Sequence, residues 1–562
     1  METRSLHKAA APHPCPQFHR ETWMDLNGQW DFTVQADAAM PEAYDRRILV
    51  PYCPESTLSD IHTHFPEGSY LFYRRHFRLP EAAGGHKILL HVGAADQELT
   101  CYINGMELGS HAGGYTAFCL DITPAVREEN EILLRVRDDL RDTAYPRRKQ
   151  SLTPGGMWYT PVSGIWQSVW LEWVPQVYIH RLDIQADMTQ ALLDTRDASL
   201  SGSVAITAPD GRIVIPLTGG KAVFRPEAPR LWSPQDPYLY EFEITAGEDR
   251  VSGYFALRSL DIRNVDSIPR LCLNGKPHFF HGLLDQGYWP DGIYTPPSPD
   301  CFREEILAMK RMGFNTLRKH IKVEPEEYYY QCDKLGMFVF QDMVSNGDYS
   351  YLKDTVLPTL GLQRKNDRRS HPDKRSRQLF LDNMKAQVLQ LKNHPCIALW
   401  TIFNEGWGQF DATAAYHALK ALDNTRFVCS FSGWFRGGES DVFSRHIYFG
   451  QWRHLKRTDK PLVLTEFGGI CLAVDGHLYN PQKSYGYQSS RDLRDYREKL
   501  LALYRAHILP AIPKGLCAAI YTQVSDVEEE INGLLTYDRQ IAKPDEEEML
   551  RLSKALYTAI AP

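Results

Sequence analysis

The sequence contains no residue pattern that would bind a structural metal or form a disulfide framework. Its 562 residues include 11 cysteines, an odd number, and no two of them have Cys-x-x-Cys spacing. The 20 histidines form no cluster with the spacing of zinc ligands. We therefore predict buried free thiols in a reducing compartment, and neither a metal nor another cofactor.

Long apolar runs and an excess of positive charge are also missing. No stretch is apolar over a length that could span a bilayer, and residues 1–20 lack the apolar run of a signal peptide. The 63 Lys and Arg residues are outnumbered by 70 Asp and Glu residues, so the net charge is −7. This charge gives no electrostatic reason to expect nucleic acid or an anionic membrane as a partner. These absences predict a soluble, cytoplasmic protein.

The residues that are present fit a large globular protein with two kinds of architecture. Hydrophobic residues make up 43% of the chain, which is enough for sizeable cores. The first third has short β-prone runs at 87–92, 99–103 and 131–136, with turns such as Asn104-Gly105 between them. This pattern predicts a β-sandwich or a β jelly-roll over residues 1–175.

A second, smaller β region follows the first. Asp210-Gly211 is typical of a hairpin turn, and residues 238–244 alternate like a half-buried strand. About 85 residues of strands and turns predict an immunoglobulin-like β-sandwich over residues 176–261.

From residue 262 to residue 562, strand-like runs alternate with helical ones. This alternation over about 300 residues predicts parallel strands with helices outside them, and a (β/α)8 TIM barrel is the leading choice. The predicted helices are 302–312, 325–335, 379–391, 412–422, 493–508 and 546–559, and the predicted strands include 314–317, 337–340, 396–403, 427–431, 462–465 and 517–522. The acidic run 528–530 is predicted to be a solvated loop.

Two glutamates end apolar strands of the predicted barrel. Residues 396–403 lead into Asn404 and Glu405, and residues 462–465 lead into Glu466. Catalytic side chains of such barrels lie at the carboxyl-terminal ends of strands. One such Glu is more often a structural ion-pair partner, but two in one barrel favour glycoside hydrolysis, which needs a proton donor and a second carboxylate. We predict Glu405 as the acid/base and Glu466 as the nucleophile.

At these residues the chain resembles glycoside hydrolase family 2, which contains β-galactosidases, β-glucuronidases and β-mannosidases. Asn404-Glu405 is similar to the family's Asn-Glu pair after the fourth strand, and Thr465-Glu466-Phe467-Gly468 is similar to its nucleophile segment. The likeness extends to residues 51–56, 92–114, 163–167, 231–234, 531–534 and 537–539. The resemblance implies the order jelly-roll, immunoglobulin-like domain and barrel, and homo-oligomers are common in the family.

The sequence also departs from the family's patterns. Arg318-Lys319-His320 has its histidine displaced by one position from the Arg-x-Ser-His of galactosidases, and Gln341-Asp342-Met343 lacks the Glu-x-His magnesium ligands of some of them. The Asn-x-Lys pair that binds a uronate carboxylate in glucuronidases has Leu534 in place of the Lys after Asn532. This difference disfavours glucuronic acid as the substrate and favours a galactoside.

Further substrate-binding residues are predicted around the two glutamates. The resemblance implies that Asn404 binds the 2-hydroxyl of the sugar and that Tyr448 lies near the nucleophile. For the other candidates a packing or ion-pairing role stays open; they are Asp285, His320, Trp407, Trp434, His446 and Gln523.

The predicted function is that of a retaining exo-β-glycosidase that removes terminal β-linked sugars, with β-galactosidase as the first choice. A β-glucuronidase or another glycosidase of the same family is the alternative, and a transglycosidase would share the same residues. A non-catalytic carbohydrate-binding protein is the rival from a different class. The predicted partner is a carbohydrate substrate, with a homo-oligomer possible.

Overall fold

The computed structural model describes residues 12–560 except 351, 353, 355–356, 358–361, 363–366, 434, 436–437, 449, 451, 453–454 and 456–457. Among the described residues, no helix combines the length and the apolar character needed to cross a membrane. All eleven cysteines are free, as the sequence predicts, and most of them are buried.

The first region consists of two antiparallel sheets that face each other across a hydrophobic core. Its strands are β1 (Trp23–Asp25), β2 (Gly28–Gln35), β3 (Arg46–Val50), β4 (Tyr70–Arg78), β5 (Lys87–Val92), β6 (Ala95–Asp96), β7 (Glu98–Ile103), β8 (Met106–Ala112), β9 (Phe118–Asp121), β10 (Glu129–Arg137), β11 (Gly164–Ile165) and β12 (Val169–Val174). The sheet orders are β1-β12-β5-β9 and β3-β2-β4-β10-β7-β8. Ile132, Leu134 and Val136 alternate along β10 and point into the core, as period-two patterning requires.

The second region repeats this arrangement with its own core. Its strands are β13 (Asp183–Ala186), β14 (Ala191–Asp194), β15 (Gly202–Ala208), β16 (Gly211–Leu217), β17 (Lys221–Phe224), β18 (Tyr240–Ala246) and β19 (Asp249–Phe255). They form the sheets β13-β14-β17 and β16-β15-β18-β19, and side chains such as Val204, Phe242 and Ile244 fill the space between them. The jelly-roll and immunoglobulin-like assignments, with their boundaries, remain predictions.

The third region is a nearly closed eight-stranded parallel barrel, which confirms the barrel prediction. A small sheet of β20 (Leu260–Val265), β21 (Ile268–Leu273) and β22 (Lys276–Pro277) precedes it. The barrel strands are β23 (Phe280–Asp285), β24 (Thr316–Lys319), β25 (Phe338–Asp342), β26 (Ile397–Phe403), β27 (Phe427–Phe431), β28 (Phe443–Ile447), β29 (Leu462–Gly468) and, after β30 (Ile470–Cys471) and β31 (Gln488–Ser489), β32 (Leu516–Thr522). Their order is β27-β26-β25-β24-β23-β32-β29-β28, and the described residues form no ladder between the two outermost strands.

Helices follow the barrel strands, and all six predicted helices are present. They are α1 (Asp300–Arg311), α2 (Glu326–Leu335), α3 (Lys374–Leu391), α4 (Ala412–Leu422), α5 (Leu493–Leu503) and α6 (Glu546–Ile560). Helix α3 begins five residues before its predicted start because the Asp373 side chain caps it by accepting from the backbone N–H of Arg375 and Ser376. The predicted helix 493–508 ends as an α-helix at Leu503 and continues as a π-helical turn over Tyr504–Ile508.

The acidic run 528–530 is not a solvated loop, so that prediction was wrong. Glu528 accepts a hydrogen bond from the backbone N–H of Thr160 at 2.9 Å, and Glu530 accepts one from the Tyr159 hydroxyl. Both glutamates are buried because an irregular segment of the first region covers this loop of the barrel. The run therefore binds the first region to the barrel.

We predict that this burial makes stability pH-dependent through Glu528. Burial raises the pKa of Glu528 from its ordinary 4.5 to about 7, against the lowering effect of its bonds to Thr160. The folded chain then binds this proton more tightly than the unfolded chain, so the stability contribution falls as pH rises from 4.5 through 7. Glu528→Gln removes this loss. Relative to the parent protein, the free energy of unfolding of the variant should therefore rise by up to roughly 3 kcal/mol between pH 4.5 and pH 8.

The measurement is urea unfolding of both proteins at pH 4.5 and pH 8. The half-exposed neighbour Glu529 provides the control: Glu529→Gln removes only a minor cause of the raised pKa of Glu528, so most of the pH dependence should remain. Parallel pH profiles for Glu528→Gln and the parent protein would contradict the assignment.

Candidate active site

Glu405 lies in a sharp turn directly after β26, at the carboxyl-terminal end of the barrel. Its φ is 51°, in the left-handed region that residues other than glycine rarely adopt. Gly406 follows with a φ of 74°, and a Cβ atom there would lie 2.2 Å from the Phe435 ring. The turn holds the Glu405 side chain at the barrel mouth, where 22% of it is exposed.

Glu466 lies inside β29 rather than after it, because this strand runs further than the sequence predicts. The ladder between β29 and β32 is irregular between Leu464 and Phe467, and the ladder to β28 shifts register between Arg445 and His446. Irregularities of this kind re-aim side chains next to active sites. Glu466 is buried and points toward the same cavity as Glu405.

The two carboxylates meet around His446. One oxygen of Glu405, one oxygen of Glu466 and a ring nitrogen of His446 all lie within 4.8 Å of one another. His446 Nδ1 is 2.7 Å from Glu405 Oε1, and its Nε2 is 3.6 Å from Glu466 Oε1. This separation is compatible with a retaining glycosidase, whose carboxyl groups lie about 5–5.5 Å apart.

A fully buried arginine, Arg318 of β24, connects the base of the site. Its Nη1 donates to Glu466 Oε1 at 2.8 Å, and its Nη2 donates to Asn404 Oδ1 at 2.9 Å. Its Nε donates to Asp342 Oδ1 at 3.0 Å, and Nη2 lies 2.9 Å from Asp342 Oδ2, which completes a bidentate pair. One guanidinium therefore orients both Glu466 and Asn404, the residue that precedes Glu405.

The surroundings of Glu466 keep it ionised. Burial alone would raise its pKa, but the nearby His446 and Arg318, with a smaller effect from Lys149, lower the pKa to about 2. The Tyr448 hydroxyl donates a hydrogen bond to its other oxygen, Oε2. Glu466 is thus an oriented carboxylate anion at neutral pH.

Asn404 and His320 present polar groups to the cavity. Asn404 Oδ1 already accepts from Arg318 and from the Ser432 hydroxyl at 2.7 Å, which leaves its amide N–H groups for a ligand. Burial, and then the charge of Lys149, lowers the pKa of His320, so its ring is neutral. Its Nδ1 lies 2.8 Å from Asp342 Oδ2 and donates there, so Nε2 is an acceptor.

The structure brings most of the predicted site residues together. The cavity is lined by Lys149, Met157, Trp158, Leu284, His320, Tyr349, Asn404, Glu405, Trp407, Tyr448, Glu466, Tyr487, Thr522 and Glu530. Both glutamates, Asn404, His320, Trp407 and Tyr448 are among them. His446 contacts the two glutamates from behind the wall.

Two other predicted residues do not line the described wall, and a third is not among the described residues. Asp285 is buried beneath it, where it forms an ion pair with Lys319 at 2.6 Å, so the alternative of a paired carboxylate applies. Gln523 is fully buried and donates to Asn532 Oδ1 at 2.8 Å. Trp434 lies outside the described residues.

Sequence reasoning missed the part of the wall that comes from outside the barrel. Lys149, Met157 and Trp158 belong to the irregular segment between β10 and β11 of the first region. The Trp158 ring meets Tyr349 and Trp407 edge-on, with centroids 5.1 and 5.5 Å away. This segment has no strand or helix period, so only the folded chain shows where it lies.

Glu405, His446 and Glu466 are also the described residues whose ligand atoms lie close enough to hold a metal ion. Arg318 already occupies one oxygen of Glu466, and Tyr448 occupies the other. The donors around Glu466 therefore favour a bare carboxylate over a metal ligand, and the absence of a catalytic metal stays a prediction.

An α/β barrel with two such carboxylates at its mouth has the arrangement of the glycoside-cleaving barrels. The TIM barrel domain of the glycosyl hydrolases family 2 matches residues 268–557. The chain belongs to this family, which confirms the resemblance seen in its sequence.

Curated relatives fall into two groups by name. A β-galactosidase of Thermoanaerobacter pseudethanolicus is 24% identical over 499 residues, which cover 82% of this chain and 62% of that enzyme. A β-glucuronidase of Rattus norvegicus is 24% identical over 490 residues, which cover 75% of this chain and 72% of the relative. The chain therefore spans less than two thirds of the galactosidase.

Solved structures share the fold over nearly the whole chain. A β-D-glucuronidase of Dictyoglomus thermophilum has a TM-score of 0.74 at 18% identity, with 96% of this chain and 98% of that one covered. A GH2 β-galacturonidase of Eisenbergiella tayi, bound to galacturonate, has a TM-score of 0.69 at 17% identity, with the same coverage. At these identities the likeness establishes the fold alone.

We predict that Arg318→Met destabilises the protein by about 3–5 kcal/mol, because it leaves Asp342 and Glu466 as buried anions without their cation. Arg318→Lys retains the positive charge, so it should lower the free energy of unfolding by less than Arg318→Met does. The measurement is the free energy of unfolding in urea at pH 7. In the control, Arg311→Met removes an exposed ion pair with Glu546 and should cost under about 1 kcal/mol. Equal effects of the two Met variants would contradict the role of Arg318.

Proposed function

We propose that this protein is a retaining exo-β-glycosidase that hydrolyses terminal β-linked sugars by double displacement. The observation that carries the proposal is the pair Glu405 and Glu466, with carboxylate oxygens within 4.8 Å of each other. Glu466 is held as an anion by Arg318 and Tyr448, and Glu405 lies in the more open position that a proton donor to a leaving group needs.

Two steps follow from this geometry. In the first, a Glu466 oxygen bonds to the anomeric carbon while the bond to the aglycone oxygen breaks, and that oxygen takes the electron pair and the proton of Glu405. In the second, water attacks the anomeric carbon and gives a proton to Glu405, and the glycosyl ester bond to Glu466 breaks to restore the carboxylate. The Asn404 amide is placed to bind the hydroxyl next to the anomeric carbon.

A terminal sugar fits because the site is a pocket rather than an open groove. The segment containing Lys149, Met157 and Trp158 closes one side of the barrel mouth, and the loop of Glu530 closes another. An enclosed site of this kind admits the end of a chain, while the aromatic group of Trp158, Tyr349 and Trp407 lies at its edge, where an aglycone would leave.

A β-galactoside is the proposed substrate. Asn532 is fully buried and its side chain is bonded to Gln523 and Glu530, so no uronate clamp of the Asn-x-Lys type is formed there. A β-uronide is the second candidate, because Lys149 places one cation in the pocket wall. A carbohydrate-binding protein without activity is the rival that a turnover assay excludes.

We predict that the protein releases nitrophenol from at least one member of a panel of nitrophenyl β-glycosides. Glu466→Ala should lower this activity about 10⁴-fold or more, because the nucleophile is lost. Azide should partly restore turnover by attacking the exposed face of the anomeric carbon, and the product should be an α-azide. Sugar binding without turnover by the folded protein would support the non-catalytic rival, and a β-azide product would contradict the assignment of Glu466.

We predict a low acid limit for activity. Because Arg318 and His446 lower the pKa of Glu466 to about 2, protonation of this carboxylate abolishes activity only as the pH falls toward that value, so the acid limb of kcat/KM should lie below about pH 4. Arg318→Met should raise the pKa of Glu466 and move the acid limb upward by about one pH unit or more. A parent acid limb near pH 5 would contradict this electrostatic account.

A further inference from the structure

A third carboxylate, Glu530, lines the pocket and has no catalytic role in the double displacement. It is 2% exposed, and it accepts one hydrogen bond from the Tyr159 hydroxyl and one from the Asn532 amide at 2.9 Å. Among the residues that the structure describes, no Lys or Arg lies within ion-pair distance of it. A carboxylate offers about four acceptor positions, so two remain available toward the cavity.

Two more polar groups of the same pocket are available for a ligand. Lys149 is half-buried on the first region's segment; its ammonium group has no ion pair or hydrogen bond among the described residues, and its Nζ lies 5.8 Å from the Tyr159 ring centroid. The Thr522 hydroxyl at the end of β32 is buried and has no hydrogen-bond partner among the described residues. Buried polar groups normally have partners, so these point to a polar ligand.

Glu530 belongs to the electrostatic environment of the catalytic pair. Burial raises the pKa of the Tyr487 phenol, and the charges of Glu530, Glu405 and Glu466 raise it further. Tyr487 stacks on Tyr448, with ring centroids 4.0 Å apart, and both tyrosines line the cavity together with Glu466 and Glu530. A sugar ring in front of Glu466 would therefore occupy the same cavity that Glu530 lines.

We propose that Glu530, assisted by Lys149, binds hydroxyl groups of the terminal sugar and thereby selects an uncharged glycone. This inference rests on the proposed glycosidase function and names its substrate class. Glu530 shares no bonding partner with Glu405 or Glu466, whereas Asn404 shares Arg318 with the nucleophile. Asn404 thus takes the 2-hydroxyl, and Glu530 takes hydroxyls farther from the anomeric carbon, at the 3-, 4- or 6-position.

Charge explains why the glycone is uncharged. A sugar hydroxyl donates to Glu530 while it accepts from the Lys149 ammonium, so both charges gain a partner. A uronate carboxylate has no proton to donate to Glu530 at neutral pH and would meet it as a like charge. With Glu405 protonated, Glu466 and Glu530 contribute two negative charges to the wall and Lys149 one positive charge, so the field of the wall also opposes an anion.

The test compares the parent protein and Glu530→Gln on 2,4-dinitrophenyl β-galactoside and on its 3-, 4- and 6-deoxy analogues. In the parent protein, kcat/KM should fall about 100-fold on at least one analogue, because a buried acceptor loses its partner. For Glu530→Gln, kcat/KM on the full sugar should fall by a similar factor relative to the parent protein. On that same deoxy analogue, kcat/KM of the variant should be less than about 5-fold below its own value on the full sugar. Lys149→Met should show the same pattern with a smaller loss.

Controls separate binding from folding. Glu529→Gln removes a charge from the same loop; the Glu529 side chain bonds to the Gly156 N–H and to Asn480 and is not among the residues that line the described cavity, so this variant should match the parent on every substrate. Labelling of Glu466 by 2-deoxy-2-fluoro-β-galactosyl fluoride shows whether each variant is folded and competent. If Glu530→Gln does not fold, the measurements of the parent protein on the deoxy analogues still test the proposal. Decreases in kcat/KM of less than about 3-fold on all three analogues would overturn it.

The outcomes distinguish this inference from the proposed function. A preference of the parent protein for β-glucuronides or β-galacturonides would overturn the uncharged glycone and leave double displacement intact. Equal losses for Glu530→Gln on the full and deoxy sugars would show a structural role and overturn the hydroxyl contact. No turnover and no labelling of Glu466 by any sugar would instead overturn the glycosidase itself.

Discussion

The arrangement of the site depends on the buried guanidinium of Arg318. Two carboxylates with oxygens within 4.8 Å repel each other, and a third, Asp342, lies directly behind them. Removal from water strengthens this repulsion, so the site needs a cation that cannot lose its proton. Arg318 meets this need and uses its planar donors to fix Asn404 and Glu466 on strands from opposite sides of the barrel.

The barrel fold brings Glu405 and Glu466 to the same face, and local backbone irregularities determine the direction in which each side chain points. Strands β26 and β29 end at the same face because all eight strands are parallel, which places Glu405 and Glu466 near each other without any local sequence relation. The left-handed turn at Glu405 and the register shift around Glu466 then aim both side chains inward. Strained backbone at such points is retained where the surroundings hold it in place, as Phe435 does beside Gly406.

This division explains what could be predicted from the sequence. The barrel, its helices and the two glutamates follow from local patterns, since a buried apolar strand that ends in Asn404-Glu405 can be recognised without its neighbours. Asp285 is the last residue of β23, at the same face of the barrel, but it pairs with Lys319, a long-range contact that no local pattern reveals. The run 528–530 looks like a solvated loop for the same reason, because the segment that buries it lies about 370 residues earlier in the chain.

The partners that orient Glu466 and a part of the pocket wall come from different regions of the molecule. Every described partner that orients Glu466, namely Arg318, His446 and Tyr448, lies in the barrel. The walls that a sugar would meet include Lys149 and Trp158 from the first region, and Glu530 is held by Tyr159 of that region. Substitutions in this irregular segment would therefore change the pocket wall without removing any of the three described partners that orient Glu466.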